Sequence, residues 1–264
     1  MLSMWFPTPH AGTVCVNHDN FKLLLILIKI KESYAKHYFY NELKALCQNV
    51  YHSPTQDVNG WKYQEQASSK DGLFVAIYTK GNDTAFVIRG TEDFQDVKTD
   101  FLLSIKCGKS QFNSAYIYYL KMKAKYNNII FIGHSLGGSI AQYLGTTTGL
   151  ETVTFEAYGV GYMFSVNHKE NIINYGNLFD PIFGYSIINQ IGKIMVTIPD
   201  KPIVLMRWHK LENSGDLSTA KELKEIPDVA CLCDSIKRNI DRGEKAKQVI
   251  DQTLQKIFKN LTNK

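Results

Sequence analysis

Asn128-Ile129-Ile130-Phe131-Ile132-Gly133-His134-Ser135-Leu136-Gly137-Gly138 is the stretch on which the reading of this chain turns. It opens as a continuous apolar run of strand length and passes straight into glycines and a helix-like segment. A run that is apolar at every position, not at alternate ones, fits a strand buried on both faces, as in a parallel sheet. Residues 133–137 also spell G-x-S-x-G, the pattern of a serine carried on a sharp strand-to-helix turn. Glycines two residues before and after the serine let the strand and helix backbones approach without a Cβ collision. The spacing therefore predicts Ser135 on a strained, exposed turn.

Working outward, the apolar positions Leu43, Leu46, Cys47 and Val50 recur at helical spacing behind Asn41, and Tyr51-His52-Ser53-Pro54 stops the pattern. Leu73 to Thr79 and Thr84 to Arg89 read as two strands joined by the turn residues Lys80-Gly81-Asn82-Asp83. A helix follows from about Ser110 to Lys125, and further strands are expected at Thr152 to Phe155, Ile172 to Tyr175 and Lys193 to Ile198. Strands alternating with helices in this way argue for an α/β layer fold around a largely parallel sheet. The far C-terminus places Ile250, Leu254, Ile257, Phe258 and Leu261 on one helix face and Lys256 and Lys259 on the other.

A serine hydroxyl is too weak an acid to attack an ester unaided, so a His must take its proton and a carboxylate must orient that His. Where this turn carries such a triad, the acid and then the His follow the serine in chain order. Past Ser135 the histidines are His168 and His209. His168 precedes every acid at an expected strand end and reads as a surface residue, whereas His209 follows the apolar run Ile203 to Met206. For the acid, Asp180 follows the strand at Ile172 to Tyr175 and stands before Pro181, where the chain leaves the sheet. Asp200, between Pro199 and Lys201-Pro202, is its competitor, with a turn aspartate as its plainer reading.

Taken together, Val87-Ile88-Arg89-Gly90-Thr91, then Asp96 and Asp100, the segment 133–138, Asn174-Tyr175-Gly176-Asn177-Leu178-Phe179-Asp180-Pro181 and His209 resemble the class 3 lipases, the fungal-lipase-like α/β hydrolases. The resemblance covers roughly residues 41 to 215. It implies an α/β-hydrolase-type fold, a triad of Ser135, Asp180 and His209, and an oxyanion hole from the backbone N–H groups of Thr91 and Leu136. It also implies lipid esters, acylglycerols or phospholipids, as substrates, with no metal or organic cofactor. Val97 stands where the family often carries Trp. The same serine also serves an acyltransferase, and a hydrolase fold that has become a binding module is the third reading. Glu92 to Leu103, with Phe94, Val97, Phe101 and Leu102 at helical spacing, is either an amphipathic lid over the serine or a core helix.

The 264 residues are 44% apolar and 21% charged, which excludes disordered and fibrous classes. Between Lys237 and Lys264 eight basic residues face three acidic ones, so this tail carries the whole net charge of +5. Such a tail either makes a peripheral contact with an anionic membrane or presents a solvated helix face, the plainer reading. A nucleic-acid partner is not expected, and nothing in the sequence fixes the oligomeric state. The five scattered cysteines lack zinc-site spacing and fit a reduced compartment. The longest apolar stretch, Phe21 to Ile30, is about half the length of a membrane span and lacks the flanks of a secretory signal, so a cytoplasmic protein is expected, with export lacking a cleaved signal as the alternative. The expected organisation is an extension at 1–40, the hydrolase domain at 41–215 and a helical basic tail at 216–264.

Overall fold

The computed structural model describes residues 39–91, 109–177, 180, 182–184, 186–197, 211 and 217–223. The chain divides into units 1–40 and 41–264, and the sheet lies in the second. The expected N-terminal apolar run, the segment 92–103 and most of the basic tail lie outside the described residues.

Eight strands form one sheet in sequence order: β1 (Lys62–Ser68), β2 (Phe74–Lys80), β3 (Asp83–Ile88), β4 (Ile129–His134), β5 (Thr152–Phe155), β6 (Ile172–Gly176), β7 (Lys193–Val196) and β8 (Lys221–Glu222). β3 to β7 run parallel, and antiparallel pairs with β2 and β8 flank them. β2 and β3 close as a hairpin with Lys80 opposite Asp83, and Gly81 takes the positive φ of 61° that a two-residue loop requires. All six residues of β4 are buried, as a parallel strand covered on both faces should be.

Among the described residues there are three α-helices: α1 (residues 39–52), α2 (Lys109–Met122) and α3 (Leu136–Thr148). α2 and α3 cover one face, where Phe112, Tyr119, Ile140 and Leu144 join Ile77, Phe86 and Phe131 in a single apolar cluster. Phe131 lies edge-on to both Phe86 and Tyr119, with ring centroids 5.5 and 5.3 Å apart. α1 reaches the opposite face, where Asn49 Nδ2 donates to Tyr78 Oη at 3.2 Å. Gly149 ends α3 in the left-handed conformation, φ 75°, and its N–H donates to Gly145 O at 2.8 Å.

Two features differ from the expectations. The crossovers after β5 and β6 contain no α-helix among the described residues, only the short 3₁₀ turn Ile187–Asn189. Side-chain amides stand in for helix hydrogen bonds there: Gln190 Nε2 donates to Ala157 O at 2.7 Å, Gln142 Nε2 to Gln190 Oε1 at 2.8 Å, and Gln142 Oε1 accepts from Ile191 N at 3.2 Å. The sheet also extends past residue 215, because Leu223 N donates to Ile194 O at 2.9 Å and β8 pairs with β7.

Candidate active site at the strand tips

Ser135 is the step between β4 and α3, with φ 57° and ψ −127°. For a residue with a side chain this backbone costs on the order of 1–3 kcal/mol and persists only where its surroundings fix it. Here the Ser135 N–H donates to Phe155 O of β5 at 3.1 Å, and its carbonyl accepts from Ser139 N at 3.1 Å to open the helix. The two glycines of the motif sit where the packing demands them. A Cβ on Gly133 would lie 2.3 Å from the Gly137 carbonyl carbon, and one on Gly137 would lie 2.2 Å from Ile88 O.

The expectation of an exposed turn is overturned, because Ser135 is 0% exposed. The exit of β3 packs onto it: a Cβ on Gly90 would lie 3.2 Å from Ser135 Cβ and 2.7 Å from His134 O. Thr91, the expected oxyanion donor, is therefore one residue from direct contact with the serine. Leu136, the other expected donor, is the first residue of α3. Its N–H belongs to the helix end whose donors have no intrahelical partner and whose dipole favours negative charge.

Asp180 is 1% exposed and follows β6. Its Oδ1 accepts from Ile182 N at 2.8 Å and Phe183 N at 2.7 Å, which fixes the plane of the carboxylate. A carboxylate so fixed can orient a histidine. β4 and β6 are separated by β5 alone, so the strands that lead to the serine and to the acid end about 10 Å apart at ordinary strand spacing. His209 and the competing Asp200 lie outside the described residues. His168 is at the wrong end of the fold. Its N–H donates to Thr146 Oγ1 near the C-terminus of α3, about 15 Å along the helix from Ser135, and its ring is exposed with Nδ1 3.5 Å from the Glu170 carboxylate.

No motif singles out Glu156, although an acid directly after a buried strand and between the serine and the expected acid is the available signal. It caps β5, the strand between the serine's and the acid's, with φ 47° and no exposure. Its N–H donates to Tyr175 O at 2.8 Å and its Oε2 accepts from Asn177 N at 2.9 Å, while Oε1 has no hydrogen-bond partner. Burial first, and then the charge of Asp180, push its carboxyl well above the ordinary glutamate range. Both effects favour the protonated form of this acid beside the candidate triad carboxylate. Among the described residues no group of three His, Cys, Asp or Glu side chains is placed to hold a metal ion, and no helix is long and apolar enough to cross a membrane.

The fold matches that of a triacylglycerol lipase from Penicillium expansum with a TM-score of 0.51, over 74% of this chain and 85% of that one, at 11% identity. The expected α/β-hydrolase-type fold is thereby borne out. In sequence, 90 residues are 31% identical to an extracellular phospholipase A1 of Serratia liquefaciens, covering 34% of this chain and 28% of that one. Over 69 aligned residues the chain is 41% identical to a Meyerozyma guilliermondii protein named as the lipase ATG15, covering 22% of this chain and 12% of the yeast protein. The chain thus spans only a small part of the curated relatives it matches. Residues 41–211 match the model of the Tle-like phospholipase domain, more than half of the chain, in agreement with the lipase-like resemblance read from the motifs. The chain belongs to the phospholipase-like family through this Tle-like phospholipase domain.

Proposed function

We propose that the chain is a serine-dependent carboxylic ester hydrolase of lipid esters, acylglycerols or phospholipids, with the domain that begins at residue 41 and carries the sheet as the catalytic domain. The observation that carries the reading is the backbone of Ser135. A buried serine held at φ 57° on the turn between β4 and α3 carries the backbone strain of a nucleophile turn, in the position that the G-x-S-x-G pattern gives to a nucleophile. The lipase and phospholipase names of the relatives support lipid esters as the substrate class.

In this reading His209 accepts the Ser135 proton as Oγ attacks the ester carbonyl, and Asp180 holds the imidazole in the tautomer that can accept it. The carbonyl oxygen becomes an oxyanion, stabilised by the N–H groups of Thr91 and Leu136. The intermediate collapses as His209 returns the proton to the leaving alcohol, leaving an acyl group on Ser135. Water, activated by the same His, then releases the fatty acid and restores the serine.

Ser135→Ala removes one buried oxygen and no core volume, so it should fold normally and lose essentially all hydrolysis of a short-chain nitrophenyl ester and all labelling by a fluorophosphonate probe. Comparable turnover in the variant would sink the assignment. Product analysis with added alcohol separates hydrolysis from acyl transfer.

A further inference from the structure

We infer that Tyr51 is a positioning residue whose single hydroxyl locks the oxyanion strand exit to the nucleophile turn. This rests on the serine hydrolase reading above. Tyr51 lies in the last turn of α1, remote in sequence from both parts of the site. Its Oη accepts from Gly90 N at 2.9 Å and lies 3.0 Å from His134 Nδ1. The two rings meet edge to face with centroids 5.7 Å apart. Gly90 immediately precedes Thr91, and His134 immediately precedes Ser135.

The need for such a lock follows from the backbone. Arg89 N is the last donor of the β2–β3 ladder, reaching Phe74 O at 3.1 Å. Gly90 N is the first donor beyond it, and among the described residues its acceptor is Tyr51 Oη rather than a strand carbonyl. Gly90 must lack a Cβ, since one would fall 2.6 Å from Tyr51 Oη and 2.7 Å from His134 O. A residue without a Cβ leaves the following peptide, which carries the Thr91 N–H, the widest rotational freedom. An oxyanion donor acts only if it is aimed before the reaction starts. Tyr51 removes that freedom by holding the Gly90 N–H, and a phenol can do so while also pairing with the His134 ring, because it both accepts and donates.

The test is Tyr51→Phe, which keeps the ring and removes the hydroxyl. For a soluble nitrophenyl ester, kcat per folded molecule should fall about 10- to 100-fold with KM within twofold of wild type. The inhibition constant of a trifluoromethyl ketone, whose adduct with serine places an oxyanion in the same hole, should rise by the same factor as kcat/KM falls. A merely structural role moves neither ratio. If Tyr51→Phe does not accumulate as folded protein, His134→Phe removes the other end of the bridge and should lower kcat at least threefold at constant KM. Unchanged kcat in either folded variant overturns the inference. Ser135→Ala is measured alongside: hydrolysis that survives in it defeats the serine reading itself, whereas its loss together with full activity in Tyr51→Phe defeats the positioning role alone.

Discussion

Gly137→Ala and Gly145→Ala add the same methyl group to the same helix, yet should differ widely in their effect on turnover. Both gain roughly 1 kcal/mol of helix propensity, which cancels in the comparison. Both also collide. At Gly137 the new Cβ would lie 2.2 Å from Ile88 O, about 1.2 Å short of ordinary contact, with Arg89 C at 2.9 Å behind it. These are backbone atoms of the strand that ends in Gly90 and Thr91, so relief requires that strand exit to move by about an ångström. A displacement of that size at a catalytic group costs on the order of 100-fold in rate. At Gly145 the collision is with Thr152 Oγ1 at 2.3 Å and Ile172 Cδ1 at 3.1 Å, at the far end of α3, where the strands enter the sheet. Overpacking there costs stability, about 1–3 kcal/mol, without disturbing the tips. The assay is kcat on a soluble nitrophenyl ester, normalised to the folded fraction from urea unfolding of each variant. Gly137→Ala should lose about 100-fold per folded molecule and Gly145→Ala less than threefold. Full turnover in folded Gly137→Ala, or equal losses in both, would refute the argument that β3 is braced against this helix to aim a donor.

Asp180→Asn keeps an oxygen that can accept from Ile182 and Phe183, so the fold should survive while turnover falls by about 10⁴-fold, the loss known for that change in a Ser-His-Asp triad. Asp200→Asn should leave turnover within a few-fold, and the reverse ranking in steady-state kinetics would make Asp200 the acid. Glu156, held protonated by burial and by Asp180, stabilises the fold fully below its ordinary pKa of 4.5 and progressively less as pH rises, until the folded carboxyl itself ionises. Glu156→Gln, neutral throughout, should therefore gain on wild type with rising pH by at most about 1.4 kcal/mol per unit; a difference in urea unfolding free energy that stays flat from pH 5 to 7 would contradict a neutral Glu156.

What the sequence makes legible here is whatever one segment decides by itself. β4 is apolar from Ile129 to Ile132 because both its faces are covered, and the glycines at 133 and 137 announce a backbone contact before any partner is known. The hairpin at Gly81-Asn82 and the helix at 39–52 are equally local. β1 is not, because Lys62–Ser68 is a sheet edge with alternate residues exposed and few apolar ones, and only its pairing with β2 makes it a strand. The two-residue β8 exists for the same reason. Tyr51 and Glu156 escape for a different one. Tyr51 reads as the end of a helix until the fold brings it 3.0 Å from a histidine 83 positions later, and the surroundings of the Glu156 carboxyl include Asn177 and Asp180, which follow the next strand. The exposure assigned to Ser135 fails likewise, since Gly90, not the turn itself, closes over it.

Backbone strain is distributed in a way that sets the site apart from the scaffold. Among the described residues the non-glycine positions with positive φ are Asn59, Asn128, Ser135 and Glu156. The two asparagines occupy turns, where their short polar side chains make that conformation inexpensive. Ser135 and Glu156 have no such excuse. They cap the adjacent parallel strands β4 and β5, both have no solvent exposure, and the second also leaves a carboxyl oxygen without a partner. A fold selected for stability alone would place glycine at both positions and an apolar side chain beneath them. Strain, burial and an unsatisfied polar atom converge on the tips of two neighbouring strands, and the fixed carboxylate of Asp180 stands at the tip of the third. The stability given up at the first two of these strand ends is concentrated where, in the proposed mechanism, an ester meets a serine, a base and two aimed donors at once.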